Sequence, residues 1–194
     1  MELKNKIILI TSAGKGAGRA LALAFAERGG VVAANDISPI NVEQVVAEIV
    51  TRGGQAKAYI EDVAKKVGVQ YLVNSVEEDF GGIDILVNHA AVEPHTPLLE
   101  MDEWDWHRTL DVNLTGAFLM TQSTARVMQA KGQGVILNVV TESGSSAAYL
   151  SSMAGLRALS ASADSELSPH GIRVHTIENS ADVVKVVMST LEAE

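Results

Sequence analysis

The residues best placed to do chemistry follow the first apolar stretch directly, in the run Thr11-Ser12-Ala13-Gly14-Lys15-Gly16-Ala17-Gly18-Arg19. Small side chains at Ser12, Gly14, Gly16, Ala17 and Gly18 let backbone N–H groups come close to a phosphate, and a helix opening here adds partial positive charge. The last glycine lets that helix pack tightly on the strand before it. A carboxylate, Asp36, follows at the end of the next apolar stretch, at roughly the 20-residue spacing of a nucleotide-binding unit. There it can accept hydrogen bonds from the adenosine ribose hydroxyls and would repel a 2′-phosphate. Together the turn and the acid describe a dinucleotide site that favours NAD over NADP. Lys15 argues for NADP, because a cation in the turn can pair with the extra phosphate. Asp36 outweighs it, since a carboxylate beside the ribose is harder to relieve than a flexible ammonium is to exploit. The bland alternative for the glycines is a tight strand-to-helix connection with no ligand.

These residues need elements to hold them. Apolar stretches Ile7–Ile10, Val31–Ala34, Ile83–Val87, Val135–Val140 and Ile172–Ile177 read as buried parallel strands, with a less apolar sixth at Ala56–Ile60. Helical patterns lie between them at Arg19–Arg28, Asn41–Thr51, Val67–Phe80, Trp104–Lys131 and Ala148–Leu167, and Ala181–Glu192 reads as a late helix. Glycine pairs after Arg28 and Arg52 read as stops. Strict alternation of strand and helix predicts βαβ units, a parallel sheet and helices on both faces. A doubly wound α/β/α sheet binds its ligand beyond the carboxyl ends of the strands, where the strand order reverses.

Composition narrows the partners. With 194 residues, of which 47% are hydrophobic, the chain predicts one domain with a substantial core. The absence of cysteine excludes disulfides and thiolate chemistry, and a formal charge of −9 leaves no basic footprint for nucleic acid. No apolar run reaches the ~18 residues of a membrane helix, and a cytoplasmic location is expected. His95, His107, His170 and His175 form no metal-spaced set, so no metal is expected. Trp104 and Trp106 read as packing or subunit-surface residues.

Over Lys6 to about Ile177 the chain resembles the short-chain dehydrogenase/reductase family, in five motifs met in order. Thr11–Gly18 is similar to its TGxxxGxG turn, with Ser12 in place of the first glycine. Asp62-Val63 resembles the pair that holds adenine, and Leu86-Val87-Asn88-His89-Ala90-Ala91 resembles the LVNNAG segment beside the cofactor. Asp111-Val112-Asn113 resembles the helix with the active-site Asn, and Tyr149 resembles the catalytic Tyr. The resemblance implies a Rossmann-type single domain and an oxidoreductase acting on a carbonyl or secondary alcohol. It also implies a homodimer built through the long helical region at Trp104–Lys131 and the helix from Ala148. Its site would comprise Tyr149, Thr141 and Asn113 for catalysis, and Ser12, Gly14, Lys15, Gly16, Ala17, Gly18, Asp36, Asp62, Val63, Asn88 and Ala90 for the dinucleotide.

The departures fall at the catalytic end. The family's Lys, one turn after the Tyr, aligns with Met153, and its Ser aligns with Thr141, which is set closer to Tyr149 than usual. Ser143, Ser145 and Ser146 stand as alternatives. The proline-glycine turn after Ile177 is replaced by Glu178-Asn179-Ser180, and the substrate-covering segment and last strand are not expected. A free Tyr titrates near ~10 and is a poor base at pH 7 without a nearby cation. Arg157, two turns from Tyr149 along the same helical face, reads as a surface arginine with a substitute cation as the alternative, and His89, in place of an amide, reads as a packed polar residue with proton transfer as the alternative. Asn113 could hold a relay water or cap a helix kink. The alternative functional readings are a catalytically impaired NAD-binding protein with a sensing or assembly role and an interaction scaffold without nucleotide.

Overall fold

The computed structural model describes every residue except 142 and 145. Six parallel strands form one sheet: β1 (Ile7–Ile10), β2 (Val31–Asn35), β3 (Gln55–Tyr59), β4 (Ile85–Asn88), β5 (Gly134–Val140) and β6 (Ile172–Glu178), in the order β3-β2-β1-β4-β5-β6. Around them pack α1 (Gly16–Glu27), α2 (Pro39–Thr51), α3 (Lys66–Phe80), α4 (Glu103–Leu110), α5 (Ala117–Lys131), α6 (Ala147–Leu167) and α7 (Val183–Glu192). This is the expected Rossmann-type α/β fold. The strand order reverses between β1 and β4, so their carboxyl ends open the crevice where such sheets bind ligands.

Burial follows strand position. β2, β4 and β5 are buried along their whole length, as strands covered by helices on both faces must be. β3 and β6, at the two edges, alternate between exposed and inward-facing residues. That is why Ala56–Ile60 looked less apolar than the others. Alternation also divides the core: Ile8 and Ile10 pack with α1, α2 and α7, whereas Leu9 packs on the other face with α3 and α5. A third cluster joins Ala117, Val140, Tyr149, Met153 and Leu156 where α5, β5 and α6 meet.

Sequence and structure differ in three places. α1 starts at Gly16 rather than Arg19, so two glycines of the turn are already helical. Ile83 and Asp84 precede β4, where the Asp84 carboxylate accepts the Ile7 N–H and the Lys131 ammonium, each at 2.8 Å. The expected helix Trp104–Lys131 contains a π-helical stretch, Asp111–Gly116, between α4 and α5. The widened turn brings Gly116 against the Val63 carbonyl, which a Cβ there would meet at 3.2 Å.

Candidate functional site

The turn after β1 is fixed from three sides. The Thr11 hydroxyl accepts the N–H groups of His89 and Ala90, both at 3.0 Å, and so ties the end of β1 to the segment after β4. Asp36 accepts the Gly14 N–H on Oδ2 and the Ser38 N–H on Oδ1, each at 2.9 Å, and ties the turn to the end of β2. Gly18 lies so close to the Ser12 carbonyl that a Cβ would stand 2.1 Å from its oxygen. The close approach expected of the last glycine is therefore present. Ser12, where the family has glycine, is held at φ 54°, the left-handed region that side chains avoid.

This arrangement suits an anionic ligand. No side chain caps α1, and the N–H groups of Gly16, Ala17 and Gly18 have no acceptor among the described residues. A Cβ on Gly16 would meet nothing within 4 Å, so the turn opens outward there. Lys15 is exposed at the helix cap. Beside the turn lies a narrow cleft whose walls include Ser12, Asp36, Asp62, Val63 and Ala90, with Ile37, Arg108 and Val112. Five of the sequence-derived binding residues thus meet in one cleft.

Asn88 is elsewhere. Its side-chain amide donates to Asn138 Oδ1 at 2.8 Å and to the Thr121 hydroxyl at 3.2 Å, and Asn138 passes the chain on to Ser160 at 2.8 Å. This buried amide joins β4, β5, α5 and α6. His89 sits beneath the turn with a buried Nδ1 that has no hydrogen-bond partner among the described residues. Burial pulls its pKa down, against the opposing effects of the Ser12 backbone, the Asp36 charge and the Thr11 backbone. Its neutral ring cannot stand in for a lysine cation.

The catalytic candidates lie around the head of α6. Asn113, on the π-helical stretch, accepts the Val92 N–H at 2.8 Å and donates to the Val92 carbonyl and the Ser152 hydroxyl, each at 3.0 Å. Ser152 in turn donates to the Tyr149 carbonyl at 2.7 Å. Asn113 therefore clamps the loop after β4 to the turn that carries Tyr149. The Thr141 and Ser143 hydroxyls are 2.9 Å apart, whereas Ser146 caps α6 by accepting the Tyr149 N–H at 3.2 Å. Ser146 is committed to the helix end, and Ser145 lies outside the described residues.

Charge around Tyr149 has the wrong sign for a base. Burial raises its pKa above the ordinary value, and the nearby Glu93 carboxylate raises it further. Met153 is buried in the same apolar cluster. The Arg157 guanidinium pairs with both carboxylate oxygens of Glu178 at the end of β6. The sequence reading missed Glu93, Ser152 and Arg108. Glu93 lies in an irregular segment without periodicity, and the partners of the other two are distant in sequence.

The family described as short chain dehydrogenase matches residues 6–191. An uncharacterized oxidoreductase of Thermotoga maritima is 38% identical over 182 residues, which are 91% of this chain and 72% of that protein. A D-threitol dehydrogenase of Mycolicibacterium smegmatis is 36% identical over 180 residues, 90% of this chain and 69% of that one. Among solved structures, an NAD+-bound xylitol dehydrogenase superposes with a TM-score of 0.88 at 32% identity, covering 92% of this chain and 71% of its own. A metagenomic short-chain oxidoreductase in complex with NADP reaches a TM-score of 0.93 at 27% identity, covering 100% and 93%.

The strained turn generates a test. A left-handed conformation costs a residue with a Cβ about 1–2 kcal/mol, part of which glycine returns through its looser unfolded chain. Ser12→Gly is expected to stabilise the protein by ~1 kcal/mol and to raise Tm by ~2–4 °C in thermal unfolding. A fall in Tm would mean that the serine side chain contributes more than its backbone costs.

Proposed function

The chain belongs to the short-chain dehydrogenase family, and we propose that it is an NAD(H)-dependent oxidoreductase of carbonyls and secondary alcohols whose alcohol oxidation is slow at neutral pH. The observation that carries the dinucleotide part is the Asp36 bridge, which holds a carboxylate at the cleft while it shapes the glycine turn. The named relatives, D-threitol dehydrogenase and xylitol dehydrogenase among them, support the reaction class. The turn N–H groups would hold the pyrophosphate, and Asp36 the adenosine ribose, each carboxylate oxygen keeping a lone pair for a hydroxyl. Bound nicotinamide would supply or accept the hydride. Tyr149 would exchange the proton with the substrate oxygen, with Thr141 or Ser143 bonding that oxygen and Asn113 fixing the loop opposite.

Asp36 also favours NADH over NADPH. The carboxylate would meet a 2′-phosphate, and Lys15 is turned to solvent. Titration calorimetry should give NADH the tighter binding by at least about tenfold, equal to ~1.4 kcal/mol. Asp36→Asn loosens the turn as well, because an amide cannot accept both N–H groups, so the quantity to compare is the ratio of the two affinities. That ratio should narrow in the variant. Tighter NADPH binding by the wild type would reverse the assignment.

The raised Tyr149 pKa sets the pH dependence. A phenol protonated throughout the physiological range can donate to a carbonyl oxygen but cannot accept from an alcohol. For alcohol oxidation, kcat/KM should be very low at pH 7 and rise tenfold per pH unit through pH 10, whereas carbonyl reduction should stay flat over that range. Glu93→Gln removes one cause of the shift and should move the oxidation profile to lower pH. Met153→Lys should do the same at the cost of burying an ammonium. An oxidation plateau already reached at pH 7 in the wild type would defeat the proposal.

A homodimer is proposed from a groove of ≈ 310 Å³ between α5 and α6, lined by Phe118, Ala125, Leu159 and Ala163 among others. Phe118 remains 42% exposed beside it. Light scattering should return twice the 20.5 kDa of the chain. A mass of one chain at micromolar concentration would remove this assembly.

A further inference from the structure

The cleft beside the glycine turn has an uneven charge distribution. Its lining includes three carboxylates, Asp36, Glu61 and Asp62, and a single cation, Arg108, which comes from α4. The guanidinium makes no hydrogen bond among the described residues, although it carries five donors. Its contact is an ion pair with Asp62, Nη1 to Oδ2, at 3.6 Å. Asp62 is itself oriented, because its other oxygen accepts the Ala64 N–H at 3.0 Å. The side chain of Arg108 is 29% exposed, so most of it already lies against the protein.

The cleft is narrow, with a volume of ≈ 60 Å³. Arg108, which makes no hydrogen bond among the described residues, can adjust to an entering base without giving one up. Around it stand Ile37, Val63, Ala90 and Val112, which form apolar walls suited to an aromatic ring. A planar guanidinium in such a slot stacks on a base face, where cation and π system attract.

We propose that Arg108 is an adenine-binding residue whose guanidinium lies flat on the base, steadied from behind by Asp62. The inference rests on the dinucleotide reading above and adds to it a contact that the glycine turn and Asp36 do not provide. Arg108 acts on the adenine end alone, and its planarity matters as much as its charge.

Titration calorimetry of the wild type, Arg108→Ala, Arg108→Lys, Asp62→Ala and the double variant Asp62→Ala/Arg108→Ala tests this, with ADP-ribose and nicotinamide mononucleotide as probes. Arg108→Ala should weaken ADP-ribose about tenfold. Arg108→Lys should weaken it nearly as much, since lysine keeps the charge without the plane. The loss should persist in the Asp62→Ala background, and nicotinamide mononucleotide, which lacks adenine, should be unaffected. Unchanged thermal melting of Arg108→Lys separates a lost contact from a lost fold. Full affinity in Arg108→Lys, a loss that vanishes without Asp62, or equal weakening of nicotinamide mononucleotide would each overturn the proposal. A wild type that does not bind ADP-ribose would instead overturn the dinucleotide reading itself.

Discussion

The Asp36 carboxylate, shared between the Gly14 and Ser38 N–H groups, is the interaction on which the cofactor half of the site depends. It fixes where the glycine turn stands relative to β2, and so where the open N–H groups at the head of α1 point. The constraint is steric as well as polar. A Cβ on Gly14 would stand 2.8 Å from Asp36 Oδ2 and 2.7 Å from the Asn41 Cβ, so the backbone can approach the acid only at a glycine. Thr11 completes the frame from the β4 side. With both ties in place, the turn has little freedom to relax, and Ser12 is carried into a left-handed conformation that its own side chain disfavours.

The catalytic half depends on a different tie. Asn113 bonds Val92 on one side and Ser152 on the other, so it sets the distance between the loop after β4 and the head of α6. The expected roles of Asn113 were to hold a relay water or to cap a kink in its helix. The helix is irregular at this point, and a π-helical turn is a frequent companion of functional positions. The same tie places Glu93, the neighbour of Val92, close enough for its charge to raise the Tyr149 pKa. Position is therefore preserved around Tyr149 while the electrostatics oppose ionisation.

Some of this could be read in the sequence. Parallel strands covered on both faces must be continuously apolar, and β1, β2, β4 and β5 were found within two residues on that basis. The glycine turn and Asp36 were legible because they combine local spacing with a fixed place in a βαβ unit. Asp36 as a strut was not, since a carboxylate's backbone partners are set by how the chain folds back. The core partners of Asn88 were hidden for a similar reason: its neighbours in sequence do not show that its amide turns into the core. The π-helical stretch escaped because the apolar pattern around Asn113 continues smoothly through it. Arg108 and Glu93 carry no periodic signal, and their importance comes from the partners that tertiary structure gives them.

The two halves also respond differently to substitution. A turn that presents backbone N–H groups keeps them with a serine at position 12, because the donors belong to the chain rather than to the side chain, at a cost of about 1–2 kcal/mol. A proton-transfer site has no such reserve. Its activity depends on the charge of single side chains, and one pKa unit is worth ~1.36 kcal/mol in the balance between phenol and phenolate. Burial of Tyr149 and the nearby Glu93 carboxylate act on that balance in the same direction, the first by disfavouring the charged form and the second by adding an anion. Arg157 cannot offset them while Glu178 engages its guanidinium at two points. The physical expectation is therefore a glycine turn whose N–H groups stay open, in a chain whose tyrosine is kept in its protonated form.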